Sequence, residues 1–198
     1  MAVTTTPKRL TFDEALEVVE MGGALVDLRP TQPYLDAHVP GSLDVVYEAG
    51  PGMSSRARDC LPLDVPYVLL ELGYGDSNLA AAALRGRGFS VVGSVEDALN
   101  QWAGKGHRIA STEIVTGGTP PEGTILHVAD PGAAAPEGAV TIPADDLWPR
   151  CRELERRSRV VVVAGWGVRA GLAVGILERN GFDDVVFWGP GSGLRGAR

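Results

Sequence analysis

The chain of 198 residues is poor in the side chains that carry much of enzyme chemistry: it has two cysteines, three histidines and only 6% aromatic residues. Cys60 and Cys151 stand far apart with no metal-ligand spacing around them, which argues against a disulfide framework or a zinc site. Long apolar runs are missing too. The run of valines at 160–163 is far shorter than the roughly 20 residues a membrane-spanning helix needs. The opening "MAVTTTPKRL" lacks the charged-then-apolar order of a signal peptide, so a cytoplasmic location is expected. Basic charge is scarce as well: 18 Lys and Arg face 25 Asp and Glu, for a net charge of −7. A nucleic-acid surface needs clustered cations and is not expected. The one basic stretch, "PRCRELERRSR" at 149–159, mixes signs at helical spacing and reads as the solvated face of a helix. No metal, cofactor, nucleic acid or membrane is expected as a partner.

What the chain does have is a second copy of itself. "LRGRGFSVV" from Leu84 recurs as "LERNGFDDVV" from Leu177, a shift of 93. Toward the N-terminus of each copy, "GSLDVV" from Gly41 aligns with "GAVTIP" from Gly138 at a shift of 97. "ALVDLRP" from Ala24 aligns with "TILHVAD" from Thr124 at a shift of 100. The second copy therefore has shorter loops. Gly, Pro, Ser and Thr cluster between the copies, which places a linker near 106–111 and two domains at 1–108 and 112–198.

Within each copy strands alternate with helices. "TFDEALEVVEMG" offers Thr11 as N-cap, Glu14 as its capping-box partner and Gly22-Gly23 as a stop. "ALVDL", "YVLLEL" and "RVVVVAG" are short apolar runs of the kind buried on both faces of a parallel sheet. The last two each lead through a glycine-bearing loop into an Ala/Leu-rich helix. The expected fold class is α/β, with a small parallel sheet flanked by helices in each copy. In such sheets ligands bind beyond the carboxyl ends of the strands, so the loops at 73–78 and 164–170 are where chemistry is expected.

At these residues a family resemblance becomes specific. "LVDLRPTQPYLDAHVPGSLDV" at 25–45 resembles the rhodanese signature, a strand ending in Asp-x-Arg followed by His-Ile/Val-Pro-Gly-Ala/Ser. "VVVVAGWGVRAGLAVGILERNGF" resembles the family's other hallmark, an apolar strand, then Cys-x-x-Gly-x-Arg, then a helix ending in Gly-Phe. Ala164 stands where that motif has its cysteine. The resemblance implies two tandem rhodanese-like domains, the second shorter and degenerate. It also implies sulfur transfer through a persulfide, for which this chain lacks the nucleophile. Asp27, Arg29, His38 and Gly41 belong to the first signature; the resemblance gives His38 a structural role and the Asp27–Arg29 pair internal salt bridges or, as in some tandem enzymes, a place lining the cleft.

Alanine cannot carry sulfur, and no Ser, Thr or Asp beside Ala164 replaces it. What remains is a cradle: Gly165, Trp166, Gly167, Val168 and Arg169 offer glycines for close approach, backbone amides at a helix start and one cation, a combination that suits either a small anion or a tight turn whose Arg169 pairs with a structural carboxylate. Trp166 is the one member that sulfur chemistry does not require. In the first copy a shift of 93 sets Glu71 opposite Ala164 and Asp76 opposite Arg169. A slip of one residue sets Leu72 there instead, and neither register supplies a thiol. Carboxylates at this loop disfavour an anion and read as solvated or capping groups, with an acid/base pair of Glu71 and Asp76 as the alternative. His127 is expected to end a strand, and Tyr34 to pack. Three functions stay open: a binding or scaffolding module for a small anion, another small molecule or a protein partner; an enzyme reusing the cleft for cysteine-independent chemistry in specialised metabolism; and a residual sulfurtransferase working through Cys60 or Cys151.

Overall fold

The computed structural model describes residues 6–128, 134–164 and 167–189. In chain order these form β1 (Lys8–Arg9), α1 (Phe12–Glu20), β2 (Ala24–Asp27), α2 (Thr31–Asp36), β3 (Leu43–Asp44), α3 (Gly52–Cys60), β4 (Pro66–Glu71), α4 (Ser77–Arg85), β5 (Ser90–Glu96) and α5 (Ala98–Gly104). The second half follows as β6 (Glu113–Thr116), β7 (Thr124–His127), β8 (Val140–Thr141), α6 (Ala144–Arg150), β9 (Val160–Val163), α7 (Val168–Arg179) and β10 (Val185–Gly189). Two parallel five-stranded sheets result, in the orders β1-β5-β4-β2-β3 and β6-β10-β9-β7-β8. The orders are the same once the second half is counted from β6, so the duplication seen in the sequence is a duplication of topology.

Sheet register carries the repeat residue by residue. Asp27 pairs with Asp44 and Leu70 in the first sheet, and His127 pairs with Thr141 and Val163 in the second. Those pairings reproduce the shifts of 100, 97 and 93. The central strands are apolar throughout because both of their faces are covered. Val160 and Val162 enter a large apolar core, while Val161 and Val163 enter a small cluster on the opposite face with Trp188. Burying each valine is worth about 1.5–3 kcal/mol, which favours a continuous run over an alternating pattern.

The large core joins the two halves. It takes in Val26, Leu69 and Leu84 from the first and Val162, Ile176 and Phe187 from the second. The first sheet also has α1 and α5 on its other face, where Phe12, Leu25, Val68, Val95 and Ala98 form a separate cluster. α1 begins with the capping box its sequence announces: Glu14 N–H donates to Thr11 Oγ1 at 3.2 Å and Thr11 N–H to Glu14 Oε2 at 2.8 Å. Among the described residues the second half has no counterpart of α1 between its first two strands. The stretch 149–159 differs from its expected helical form. α6 ends at Arg150, Cys151–Glu153 form a single 3-10 turn, and Cys151 and Leu154 are buried. The charged residues 152–153 and 155–157 are exposed.

The seam between the halves is polar at one end. His38, fully buried, has its Nδ1 2.8 Å from the Tyr34 carbonyl oxygen and its Nε2 2.9 Å from Glu178 Oε2 on α7. Gly41 N–H donates to the same Glu178 oxygen at 2.9 Å. Tyr34 stacks on the His38 ring at 4.2 Å, and its hydroxyl donates to the Ser42 carbonyl at 2.6 Å. Arg179, one residue further along α7, donates to the Gly22 carbonyl at 2.7 Å and lies over the Trp148 ring.

Asp44, at the end of β3, is buried in this seam against Gly171 of α7. Its Oδ2 accepts from Thr31 Oγ1 at 2.8 Å, and Oδ1 has no partner among the described residues. Burial, with the nearby Asp27 charge adding to it, pushes its carboxyl well above the ordinary value of 3.8. A carboxyl raised in the folded state contributes stability that is full below pH 3.8 and falls as pH rises. Asp44→Asn should therefore raise the melting midpoint at pH 8 by roughly 3–6 °C, on the order of 1–2 kcal/mol, and by less at pH 4.5. Melting curves of both proteins across that range check this. A difference that does not change with pH would show that Asp44 is not buried as a carboxyl.

Candidate functional site

Each sheet sends its middle strand through a loop into a long helix, β4 into α4 and β9 into α7. The strand side fixes the alignment, because Leu70 and Val163 hold equivalent places in the two sheets. The helix side agrees. α4 and α7 close with the same turn, Phe89 N–H donating to the Leu84 carbonyl and Phe182 N–H to that of Leu177, both at 3.2 Å. A shift of 93 thus holds at the strand end and at the far end of the helix, and by that count Glu71 stands opposite Ala164 and Asp76 opposite Arg169. The helix starts do not keep it: Asp76 caps α4 where Gly167 caps α7, a shift of 91.

At the second loop, Ala164 is 5% exposed and belongs to the apolar core. Gly167 caps α7 with φ +124°, a conformation that L side chains rarely adopt, and its carbonyl accepts from Ala170 N–H at 2.9 Å. Val168 and Arg169 open the twelve-residue α7, where the first amides of a helix lack intrahelical acceptors and Arg169 is exposed. Gly165 and Trp166 lie outside the described residues. His127 ends β7 beside Val163. It is 4% exposed, and its Nδ1 has no partner among the described residues.

The first loop is built differently. Gly73 and Gly75 both take positive φ, and a side-chain carbon at Gly75 would run into the ring of Tyr47. Asp76 is the N-cap of α4, accepting from Asn78 N–H at 2.9 Å and Leu79 N–H at 3.1 Å. Glu71 Oε1 accepts from Ser77 Oγ at 2.9 Å, and Oε2 lies 3.8 Å from Arg9. The two carboxylates are thus held by separate partners, and neither bonds to the other. Arg29 donates to both oxygens of the buried Asp27, at 2.7 Å from Nη2 to Oδ2, and to the Ala37 carbonyl. A cavity of about 700 Å³ opens here, lined by Arg29, Glu71, Tyr74, Glu96, Asp97 and Asn100 among others.

Neither thiol takes the nucleophile's place. Cys151 is buried, its Sγ 3.4 Å from the Trp148 carbonyl oxygen, and burial raises its pKa. Cys60, at the end of α3, is half-buried and close enough to Arg169 to feel its charge, a proximity the sequence does not reveal. Burial, with Asp145 and Asp59 adding to it, nonetheless pushes that thiol up to about 11. The thiolate is the reacting form, so at pH 7.5 Cys60 should alkylate roughly a hundredfold or more below the rate of an unperturbed thiol of pKa about 8.5. Timed iodoacetamide labelling with peptide mapping measures this, and labelling at the free-thiol rate would contradict the burial argument.

Sequence reasoning missed Glu178, Asp44 and Asp97. Glu178 left one trace: the repeat sets it opposite Arg85, a charge reversal at the position where α7 reaches across to the first half. Among the described residues no three His, Cys, Asp or Glu side chains converge in a way that could hold a metal ion. No helix among them is long and apolar enough to cross a membrane.

No family model matches the chain. It is similar to thiosulfate sulfurtransferase GlpE of Pseudomonas savastanoi pv. phaseolicola, with 33% identity over 95 residues, which covers 48% of this chain and 86% of that one. The same enzyme of Pseudomonas syringae pv. syringae is 34% identical over an equal length and share. Among solved structures, SseA from Escherichia coli, described with the rhodanese fold and mechanism of 3-mercaptopyruvate sulfotransferases, is 15% identical. That likeness covers 94% of this chain and 99% of that one, with a TM-score of 0.44. Thiosulfate sulfurtransferase from Pseudomonas aeruginosa is 18% identical over 93% of this chain and 41% of its own, with a TM-score of 0.38.

Proposed function

Because the chain belongs to the rhodanese-like sulfurtransferase family yet has no cysteine at either strand-to-helix loop, we propose that it is a binding or scaffolding member that does not transfer sulfur. The alignment of the two sheets supports this reading, since at a shift of 93 Glu71 and Ala164 follow equivalent strand residues, and the resemblance puts the sulfur-carrying cysteine after that strand. A methyl group has no lone pair with which to accept sulfur, and a carboxylate repels thiosulfate.

The ligand we assign to the second loop is a small anion, held by the first amides of α7 and by Arg169. Unsatisfied helix N-terminal amides and a guanidinium both favour negative charge there. The residual-sulfurtransferase reading has only Cys60 to rest on, and a thiol pushed up to about 11 is a poor sulfur acceptor at neutral pH. Purified protein should show no thiosulfate:cyanide sulfurtransferase activity above background, and no persulfide on Cys60 or Cys151 by mass spectrometry after thiosulfate treatment. Turnover that disappears in Cys60→Ser or Cys151→Ser would overturn the proposal. Calorimetric titration with thiosulfate or sulfate, repeated on Arg169→Ala, addresses the anion site by itself. Anion binding that Arg169→Ala leaves unchanged would remove it.

A further inference from the structure

The cavity at the first loop calls for a different ligand. It opens at the carboxyl ends of β4 and β5, and its volume of about 700 Å³ falls in the range of small-molecule sites. The half-buried Leu72 and Leu99 give it apolar surface. Its charge is set by carboxylates. Arg29 contributes little free positive charge, because its Nε and Nη2 are committed to the buried Asp27 and to the Ala37 carbonyl. Arg9 must serve two acids, lying 3.8 Å from Glu71 and pairing more closely with Glu96. That leaves Asp97. Its carboxylate accepts from Asn100 Nδ2 at 2.6 Å and has no cationic partner among the described residues.

Asp97 is also the one non-glycine residue with positive φ among those described, at +50°, a conformation that Asp and Asn tolerate better than most side chains. Its N–H donates to the Glu71 carbonyl at 3.0 Å, which fixes it at the cavity. Tyr74 lies on the same cavity and remains 45% exposed, one of the few large apolar side chains the fold leaves out. An aromatic ring and an exposed carboxylate without a cationic partner among the described residues, lining one open recess that also carries Glu71 and Glu96, suit a positively charged nitrogen bonded to carbon.

We propose that the first-half cavity binds a small organic ammonium compound, its cationic nitrogen held by Asp97 and Tyr74 and its carbon skeleton against Leu72 and Leu99. The two halves would then have divided the ancestral anion chemistry, the first turned to a cation and the second without its nucleophile. This proposal uses only first-half residues, so it stands or falls independently of the anion site at α7.

The test uses the full chain with choline and ethanolamine as probes, thiosulfate and acetate as anionic controls, and calorimetry plus amide shift mapping as readouts. Saturable binding of both cations is expected, with shifts centred on the amides of Gly73, Gly75, Asp97 and Asn100 and with affinity falling as salt is raised. Tyr74→Ala should weaken choline about threefold to thirtyfold, the range of an aromatic contact to a cation. Asp97→Asn, which keeps a residue tolerant of positive φ, should weaken both cations at least about fivefold, a charge-assisted contact being worth more than a neutral one. The absence of saturable binding by either cation at tens of millimolar would overturn the proposal. So would binding unchanged in both variants, or thiosulfate displacing those four amides in place of the cations.

Discussion

Gly175→Leu should leave the chain unable to hold its two halves together, and Gly175→Ala should already lower stability by about 2 kcal/mol. In the middle of a helix, replacing glycine with alanine ordinarily stabilises by about 1 kcal/mol, so the expected loss runs against local propensity. The reason is across the seam. α7 lies against β3, and a carbon added at Gly175 would come within 2.9 Å of the Tyr34 hydroxyl and 3.1 Å of the Leu43 Cα, with the Ser42 carbonyl oxygen closer still. Two of those three atoms are backbone. The third belongs to a buried tyrosine hydrogen-bonded to the same carbonyl, so none can swing away. Overpacking of this kind costs about 3 kcal/mol, which outweighs the propensity gain. Gly104 near the end of α5 has nothing within 4 Å of its missing side chain, and Gly104→Ala serves as the neutral control. Urea unfolding of the three variants measures the differences. A Gly175→Ala protein as stable as the parent would mean that α7 is not seated on β3.

That contact explains why the sequence revealed one level of organisation and hid the next. The strands were legible because burial on both faces writes itself as consecutive apolar residues, as at Val160–Val163, and the repeat was legible because the same turn closes α4 and α7. Register within the loop was left open between Glu71 and Leu72 as the counterpart of Ala164. Strand pairing, a non-local fact, favours Glu71, while the helix caps Asp76 and Gly167 keep a different shift. The seam was not legible. Gly171 and Gly175 lie four apart and so share one face of α7, but in a helix rich in small residues they look like composition rather than contact. Glu178 looked like an ordinary surface acid, although its partners His38 and Gly41 lie 140 and 137 residues away. The reading of 149–159 as a helix failed for a related cause. Periodicity in the charges was taken for helical backbone; the charges are exposed, but the α-helix ends at Arg150.

Ala164→Cys should yield a thiol that reacts more slowly than a free one and takes up no sulfur. Two influences compete at this position. The first amides of α7 and the charge of Arg169 favour a thiolate, and acting alone they would bring the pKa below the unperturbed value of about 8.5. Burial opposes them, because Ala164 is only 5% exposed and shares its core with Val162 and Ala170. Cys60 shows how strongly burial acts in this protein: it feels the same Arg169 and is less buried than Ala164, yet burial, with Asp145 and Asp59 adding to it, pushes its thiol up to about 11. By that comparison, alkylation of the introduced thiol at pH 7.5 should be at least about tenfold slower than that of a free thiol, which corresponds to one unit or more of upward shift. Measuring alkylation rates from about pH 5 to 9, on a Cys60→Ser background to remove the neighbouring thiol, brackets the free-thiol value. The same series with Trp166→Gly added tests whether that indole is what closes the position to solvent. A midpoint below about 8.5, or persulfide appearing on the new thiol after thiosulfate, would mean that the amides outweigh burial. The second half would then be a sulfurtransferase site lacking only its sulfur atom, and the assignment of this chain to binding would give way to one of recent catalytic loss.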